Sequence, residues 1–319
     1  MPTRRTLLAA PLLATPALAQ GPWPNRPIRA VIPYPPGGAT DAMSRLAAQK
    51  LSEALGQPVV PENRAGGSGT VGGVAVKEAA PDGYTLLFTA SIHVMARQVL
   101  KASPYDPIAD FTPVARTGQG PLLVVTNPNA AQSRITEVVE AARRNPRGWT
   151  WGVSSLGSAG HLATIEFNRL AGLDIPITPY RGSAPALADI AAGNIQLMCD
   201  PILAVLPLVR GGQAKALAIT RPARSGVAPE IPTAAESGMP GLDFGSWYGV
   251  WGPRGLPQEI VARINAALAA GMSEPATVQR LTTLGFEPVA ESPAAFAAFI
   301  AADVARNAGL LAQAGFQPE

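Results

Sequence analysis

One cysteine, Cys199, stands in 319 residues, so no internal disulfide can form. Its neighbours Leu197 and Met198 read as a strand that buries the thiol, which gives a metal or catalytic role nothing to build on. Histidine is almost as scarce: His93 and His161 are the whole supply, leaving few general bases and no histidine-rich metal set. Charged residues make up only 15% of the chain, with no Lys/Arg cluster that would suggest nucleic acid or an acidic membrane surface. Gly-x-Ser-x-Gly, His-Glu-x-x-His and the Walker loop are all missing, which removes the common signatures of hydrolases, zinc proteases and nucleotide enzymes. Neither a metal nor a cofactor is expected.

What is present is a hydrophobic content of 47%, with 33 Pro and 32 Gly scattered as punctuation, the composition of a well-packed globular chain long enough for two domains. Residues 1–19 read as a signal peptide. Arg4 and Arg5 precede an apolar run from Leu7 to Leu18, and Ala17-Leu18-Ala19 forms a small-x-small cleavage site. Thr3-Arg4-Arg5-Thr6-Leu7-Leu8 also resembles a twin-arginine signal, with ordinary Sec export as the alternative. Without the leader the chain carries 23 basic and 22 acidic residues, a net charge of +1 in place of +3. No later apolar run reads as a membrane span, so a soluble protein outside the cytoplasm is expected.

The segment from Ile28 to Leu55 organises the rest. Ile28, Ala30, Val31 and Ile32 read as a buried parallel strand ended by Tyr34-Pro35-Pro36-Gly37-Gly38-Ala39-Thr40-Asp41. Met43, Ala47, Leu51, Ala54 and Leu55 then mark one face of a helix, with Thr40 or Asp41 placed to cap it. Strand, Gly-rich turn and helix start together aim unpaired backbone N–H groups and a positive dipole end above the sheet, which suits an anion. Gly37 and Gly38 as no more than a tight connection is the competing account. Gly67-Ser68-Gly69-Thr70-Val71-Gly72 spells the dinucleotide fingerprint, but it follows the second strand and lacks the strand-end acid, so helix entry and close packing explain these glycines better.

A second unit of the same design lies further on. A strand from Trp149 to Val153 meets Ser154-Ser155-Leu156-Gly157-Ser158-Ala159-Gly160-His161 and a helix carrying Leu162, Ile165, Phe167 and Leu170. Arg181-Gly182-Ser183 leads into another helix, with Pro185 in its first turn and Gly193 as its stop. Pro121 to Val125 and Phe244 to Trp251 are extended and suit strands crossing between two domains, and helices from Gln258, Ala276 and Ala294 are expected to pack back on the first. Trp247 and Tyr248 suit packing between the domains.

Pro27-Ile28-Arg29, Pro33 through Asp41, Glu62-Asn63-Arg64, Ala80-Pro81-Asp82-Gly83-Tyr84-Thr85-Leu86-Leu87, Tyr180-Arg181-Gly182-Ser183-Ala184-Pro185-Ala186 and Trp247-Tyr248-Gly249 occur in an order that resembles the Bug family. These are the TctC-like extracytoplasmic solute receptors of tripartite tricarboxylate transporters, and the likeness extends over essentially the whole chain after the leader. It implies an α/β, type II periplasmic binding-protein fold: two α/β domains joined by crossing strands, with a ligand cleft between them. Residues 20–123 and 245–319 would form the first domain and 124–244 the second. By position in the family, the ligand contacts would be Gly38, Ala39, Thr40, Asp41, Thr89 and Ser91 from the first domain, and Ser154, Ser155, Ser158, His161, Tyr180, Arg181 and Asp200 from the second. Cys199 stands where the family has an aromatic residue, and Leu156 interrupts a turn that is smaller there.

The function implied is a monomeric receptor that captures a small organic carboxylate by domain closure and passes it to a membrane permease, without chemistry and without nucleic acid. Two alternatives remain: a ligand-presenting partner of a membrane kinase, and a hydrolase using Ser154 or Ser155 with His161 and Asp200. Individual residues also keep two readings. His161 is either a carboxylate donor or a cap, Asp41 a helix cap or an ammonium ligand, Asp200 a ligand acceptor or a turn with Pro201, and Arg181 a bidentate clamp or a solvated side chain.

Overall fold

The computed structural model describes residues 22–319. The expected leader, its cleavage near Ala19 and its twin-arginine motif lie outside the described residues.

The chain alternates strand and helix from the start: β1 (Ile28–Ile32), α1 (Ala39–Leu55), β2 (Val59–Asn63), α2 (Thr70–Lys77), β3 (Thr85–Ala90) and the single turn α3 (Ala96–Val99). β1 pairs in parallel with β2 on one side and β3 on the other, and both its faces are covered: Ile28, Ala30 and Ile32 join one core and Val31 another. Ile28 and Ile32 are fully buried, each worth roughly 2 kcal/mol in apolar surface removed from water. The glycines that spell a dinucleotide fingerprint serve packing. A Cβ on Gly69 would lie 2.4 Å from the Tyr34 hydroxyl oxygen, and one on Gly72 would lie 2.7 Å from Pro33 Cβ.

A 16-residue strand, β4 (Phe111–Thr126), then leaves the first half and enters the second. Its residues up to Pro121 pair with β9 (Gly245–Pro253), whereas Leu122 to Thr126 pair with β7 (Leu197–Pro201). The second half comprises α4 (Ile135–Arg144), β5 (Trp151–Val153), α5 (Ala159–Ala171), β6 (Ile177–Pro179), α6 (Ser183–Ala192), β7, α7 (Ile202–Arg210) and β8 (Lys215–Ile219). Strand order along the continuous sheet is β2-β1-β3-β9-β4-β7-β5-β6, with β8 paired to β4 off that path. No sequence expectation covers α7, which carries Pro207 inside it and so forgoes the one N–H bond that position would make to Leu203.

The return strand β9 leads to α8 (Gln258–Ser273), α9 (Pro275–Thr283), the two-residue β10 (Glu287–Pro288) and α10 (Pro293–Gln313). α8 and α9 pack on the first half as expected, with Ile264, Leu268 and Leu281 joining Met43 and Leu51 in one core. α10 packs on β4 and α8 and also reaches α5 of the second half. Phe296, Ile300, Leu310 and Leu311 join a core with Trp251 of the crossing strand and Leu162 and Ala163 of α5, so the helix spans both halves. It also corrects the statement that no later run has membrane length: α10 is 21 residues, with a mean hydropathy of 1.4 over its most apolar window. The same aliphatic content serves its packing against β4 and α5 here.

Candidate functional site

The turn after β1 is held by Asp41. Gly38 is the N-cap of α1 and Gly37 takes a φ of +92°, a backbone open to glycine. Neither Thr40 nor Asp41 is the cap. Asp41 instead reaches back from the first turn: Oδ2 accepts from the Gly37 N–H at 3.1 Å, Arg45 Nε donates at 3.0 Å, and Asn63 Nδ2 donates to Oδ1 at 2.9 Å. Burial alone would raise the Asp41 pKa, but these donors from Arg45, Asn63 and Gly37 hold it below the ordinary carboxylate range. With that acid occupied, the first-turn N–H groups of α1 face the space above the sheet, because an α-helix offers them no internal partner.

In the second half, Ser158 is the N-cap of α5, and its Oγ accepts from the His161 N–H at 3.1 Å. Gly160 follows because nothing larger fits: a Cβ there would lie 1.9 Å from the Cys199 carbonyl oxygen. α6 starts after Gly182, whose φ of +108° lies in the region that favours glycine. Ser183, its first residue, donates to Asp200 Oδ2 at 2.5 Å from the end of β7. Asp200 is fully buried, and its Oδ1 has no hydrogen-bond partner. Burial pushes the Asp200 carboxyl up to about 6, against the opposing pull of the Ser183 and Ser154 hydroxyls.

These turns meet around a cavity of about 100 Å³, room for several waters or one compact acid. Gly38, Ala39, Thr40, Asp41 and Ser91 line it from one side, and Ser154, Ser155, Ser158, Arg181 and Asp200 from the other. The mouth is narrow, since a Cβ on Gly182 would lie 3.7 Å from Pro35 Cδ across the gap. Arg181 is exposed at the rim and is the only cation in the lining.

Three expected residues stand elsewhere. Thr89 is buried one residue back along β3, outside the lining. Tyr180 turns its hydroxyl to Asp189 at 2.6 Å, and burial together with that carboxylate raises it to about 12. His161 packs its ring on Phe316, with centroids 5.3 Å apart, and its Nδ1 accepts from the Gly157 N–H at 3.0 Å. The α5 periodicity places it on the core side of the helix, where burial pushes its pKa down to about 4. Cys199 and Leu156, the two departures from the family pattern, are also outside the lining.

Sequence reasoning missed Tyr34, Ser183, Ser246 and Tyr248, all of which line the cavity. Ser183 was within reach, since it opens the helix after Arg181-Gly182. Tyr248 was signalled by strand alternation: Trp247 faces the aromatic core with Trp251 and Phe296, so its neighbour must face the other way. Its hydroxyl donates to Ser246 Oγ at 3.1 Å.

The hydrolase arrangement is not assembled. His161 points away from Ser154 and Ser155, and His93, the other imidazole, sits among Tyr105, Phe111 and Trp251 with its pKa pushed down to about 3 by burial. Among the described residues, no group of three or more His, Cys, Asp or Glu side chains is placed to hold a metal ion. The lining offers main-chain N–H groups, hydroxyls, one guanidinium and one half-satisfied carboxylate, a set suited to holding a small polar molecule.

Residues 43–316 match the family described as "Tripartite tricarboxylate transporter family receptor". Protein BugT of Bordetella pertussis is 35% identical over 295 residues, covering 92% of this chain and 90% of BugT. The structure of R. palustris Rpa4515 with adipate aligns with a TM-score of 0.90 at 37% identity, covering 93% of this chain and all 100% of that one. MatC from Rhodopseudomonas palustris with bound malate aligns at 0.85 and 32% identity, covering 91% and 100%. The fold of this chain is the two-domain α/β architecture of these binding proteins.

Proposed function

Because the chain belongs to the tripartite tricarboxylate transporter receptor family, whose members are periplasmic solute-binding proteins and not enzymes, we propose that it captures a small organic carboxylate by domain closure and delivers it to a permease of the tripartite tricarboxylate type. The leader would be removed near Ala19 on export, by the Sec or the twin-arginine route. The two closing bodies would be residues 20–123 with 245–319, and residues 124–244.

One observation carries this reading: a cavity bounded on one side by the start of α1 and on the other by the starts of α5 and α6, with Arg181 at its rim. Helix N-termini hold an anion with N–H groups that cost little to order, since the fold has already fixed them. An anion that touches both sides binds the closed form better than the open one, and that difference is what drives closure. The relatives solved with adipate and malate carry ligands of the same chemical class. Isothermal titration calorimetry against mono-, di- and tricarboxylates should give saturable binding of at least one, with small-angle scattering showing compaction on the same addition. Absence of binding across that panel defeats the proposal.

A further inference from the structure

Among the described residues that line the cavity, Asp200 alone has a buried side-chain oxygen without a partner. Ser183 satisfies Oδ2, and the nearby Ser154 hydroxyl steadies the charge without completing a hydrogen bond to Oδ1. A buried carboxylate oxygen left in this state carries an unrecovered desolvation cost, and while the group is ionised a donor arriving from the cavity can remove it. The surroundings say where that donor must come from. Gly160, at the start of α5, is so close that a Cβ on it would lie 3.7 Å from Oδ1, and Ser183 is the first residue of α6. The positive ends of two helices therefore already face a carboxylate, and it is the protein's own. A ligand carboxylate placed beside it would meet like charge in a poorly hydrated pocket. On the opposite side, Asp41 is saturated by Gly37, Arg45 and Asn63, which leaves the start of α1 free to take an anion.

The geometry points to a ligand with two unlike ends: a carboxylate seated at the start of α1 and Arg181, and a hydroxyl or ammonium group that donates to Asp200 Oδ1. Asp200 is then the specificity residue that favours hydroxy and amino acids over plain diacids of the same length. This rests on the carboxylate-receptor reading and narrows it.

A dependence on pH follows from the same contact. Protonation of Asp200 removes the charged acceptor, so binding of a donor-bearing acid weakens as pH falls through about 6. The other groups around it do not titrate there. Tyr248 across the cavity and Cys199 behind are raised by burial, Asp41 opposite is lowered, and His161 on α5 is pushed down to about 4.

The test is calorimetry with three matched series: succinate, malate and aspartate; glutarate, 2-hydroxyglutarate and glutamate; adipate, 2-hydroxyadipate and 2-aminoadipate. In the series that binds best, a donor-bearing acid should bind about tenfold or more tighter than the plain diacid, the value of one hydrogen bond to a charged acceptor. The hydroxy and amino members tell which donor is preferred. Its affinity should fall about fourfold from pH 8 to pH 5.5, as a group titrating near 6 loses its charge. Asp200→Asn should reduce the preference below about threefold and flatten the pH profile, which also controls for titration of the ligand. The wild-type comparison needs no variant to fold. If the plain diacid binds as well or better, or if the preference survives in Asp200→Asn, the role of Asp200 is overturned while the receptor reading stands. If no acid in any series binds at any pH, the role of Asp200 is overturned, and the receptor reading falls with it only when mono- and tricarboxylates fail to bind as well.

Discussion

Two aspartates face one cavity from opposite sides and differ in almost everything but identity. Asp41 is tied to Gly37, Arg45 and Asn63, and its ionised form is favoured. Asp200, at the far wall, has one serine for a partner, a bare oxygen and a raised pKa. The same contrast runs through the backbone. Gly38 at the start of α1 has open space around it, whereas Gly160 at the start of α5 is pressed on the Cys199 carbonyl. One wall is finished by its own side chains, and the other is tightly built around a vacancy in its hydrogen bonding. The lesson is that a carboxylate's neighbours, more than its position at a cleft, separate a structural brace from a ligand contact.

The sharpest way to break this contrast is through the two glycines. Gly160→Ala forces backbone against backbone and should cost about 3 kcal/mol or more in urea unfolding, while Gly38→Ala should stay within about 0.5 kcal/mol. Next come the aspartates, which should move stability in opposite directions. Asp200 has a folded pKa near 6, above the unfolded value near 3.9, so it takes up protons on folding and its charged form destabilises the fold as pH rises between those values. Asp200→Asn should therefore gain up to about 3 kcal/mol at pH 8 and nothing below pH 4. Asp41 is the reverse case: its lowered pKa gives stability that is present above the unfolded value and lost as pH falls through the folded one. Asp41→Asn should lose about 2 kcal/mol at neutral pH in the same melts. A smaller effect is expected at the rim. Arg181→Ala should leave the melting temperature unchanged and weaken carboxylate binding about tenfold, most visibly at low salt. Smallest of all for binding is Cys199→Ala, which should cost about 1 kcal/mol of stability and leave affinity unchanged, because the thiol lies behind the wall.

The first wall was legible from the sequence because its signals are local. An apolar run, Pro-Pro-Gly-Gly and a helical period dictate a strand, a turn and a helix start within thirty residues. Ser154, Ser155 and Ser158 were legible for the same reason. His161 and Tyr180 were not, since the direction in which their side chains point is settled by partners far away in sequence: Phe316 on the last segment, and Asp189 two turns into α6. Asn63 and Arg45, which decide the state of Asp41, lie on separate elements brought together only by parallel pairing of β1 with β2. The additional packing of α10 on α5 was not legible, because its apolar content permits several faces and tertiary contacts with Trp251 and α5 chose among them.

β4 belongs to both halves, and α10 lies across the seam with a core that takes residues from each. Neither half can therefore lose its ladder without stripping a strand from its neighbour. Heating should take the whole molecule apart in one calorimetric step, with the enthalpy of a single cooperative unit, so that the cleft bends as a flexure and does not come loose as a joint between independent bodies.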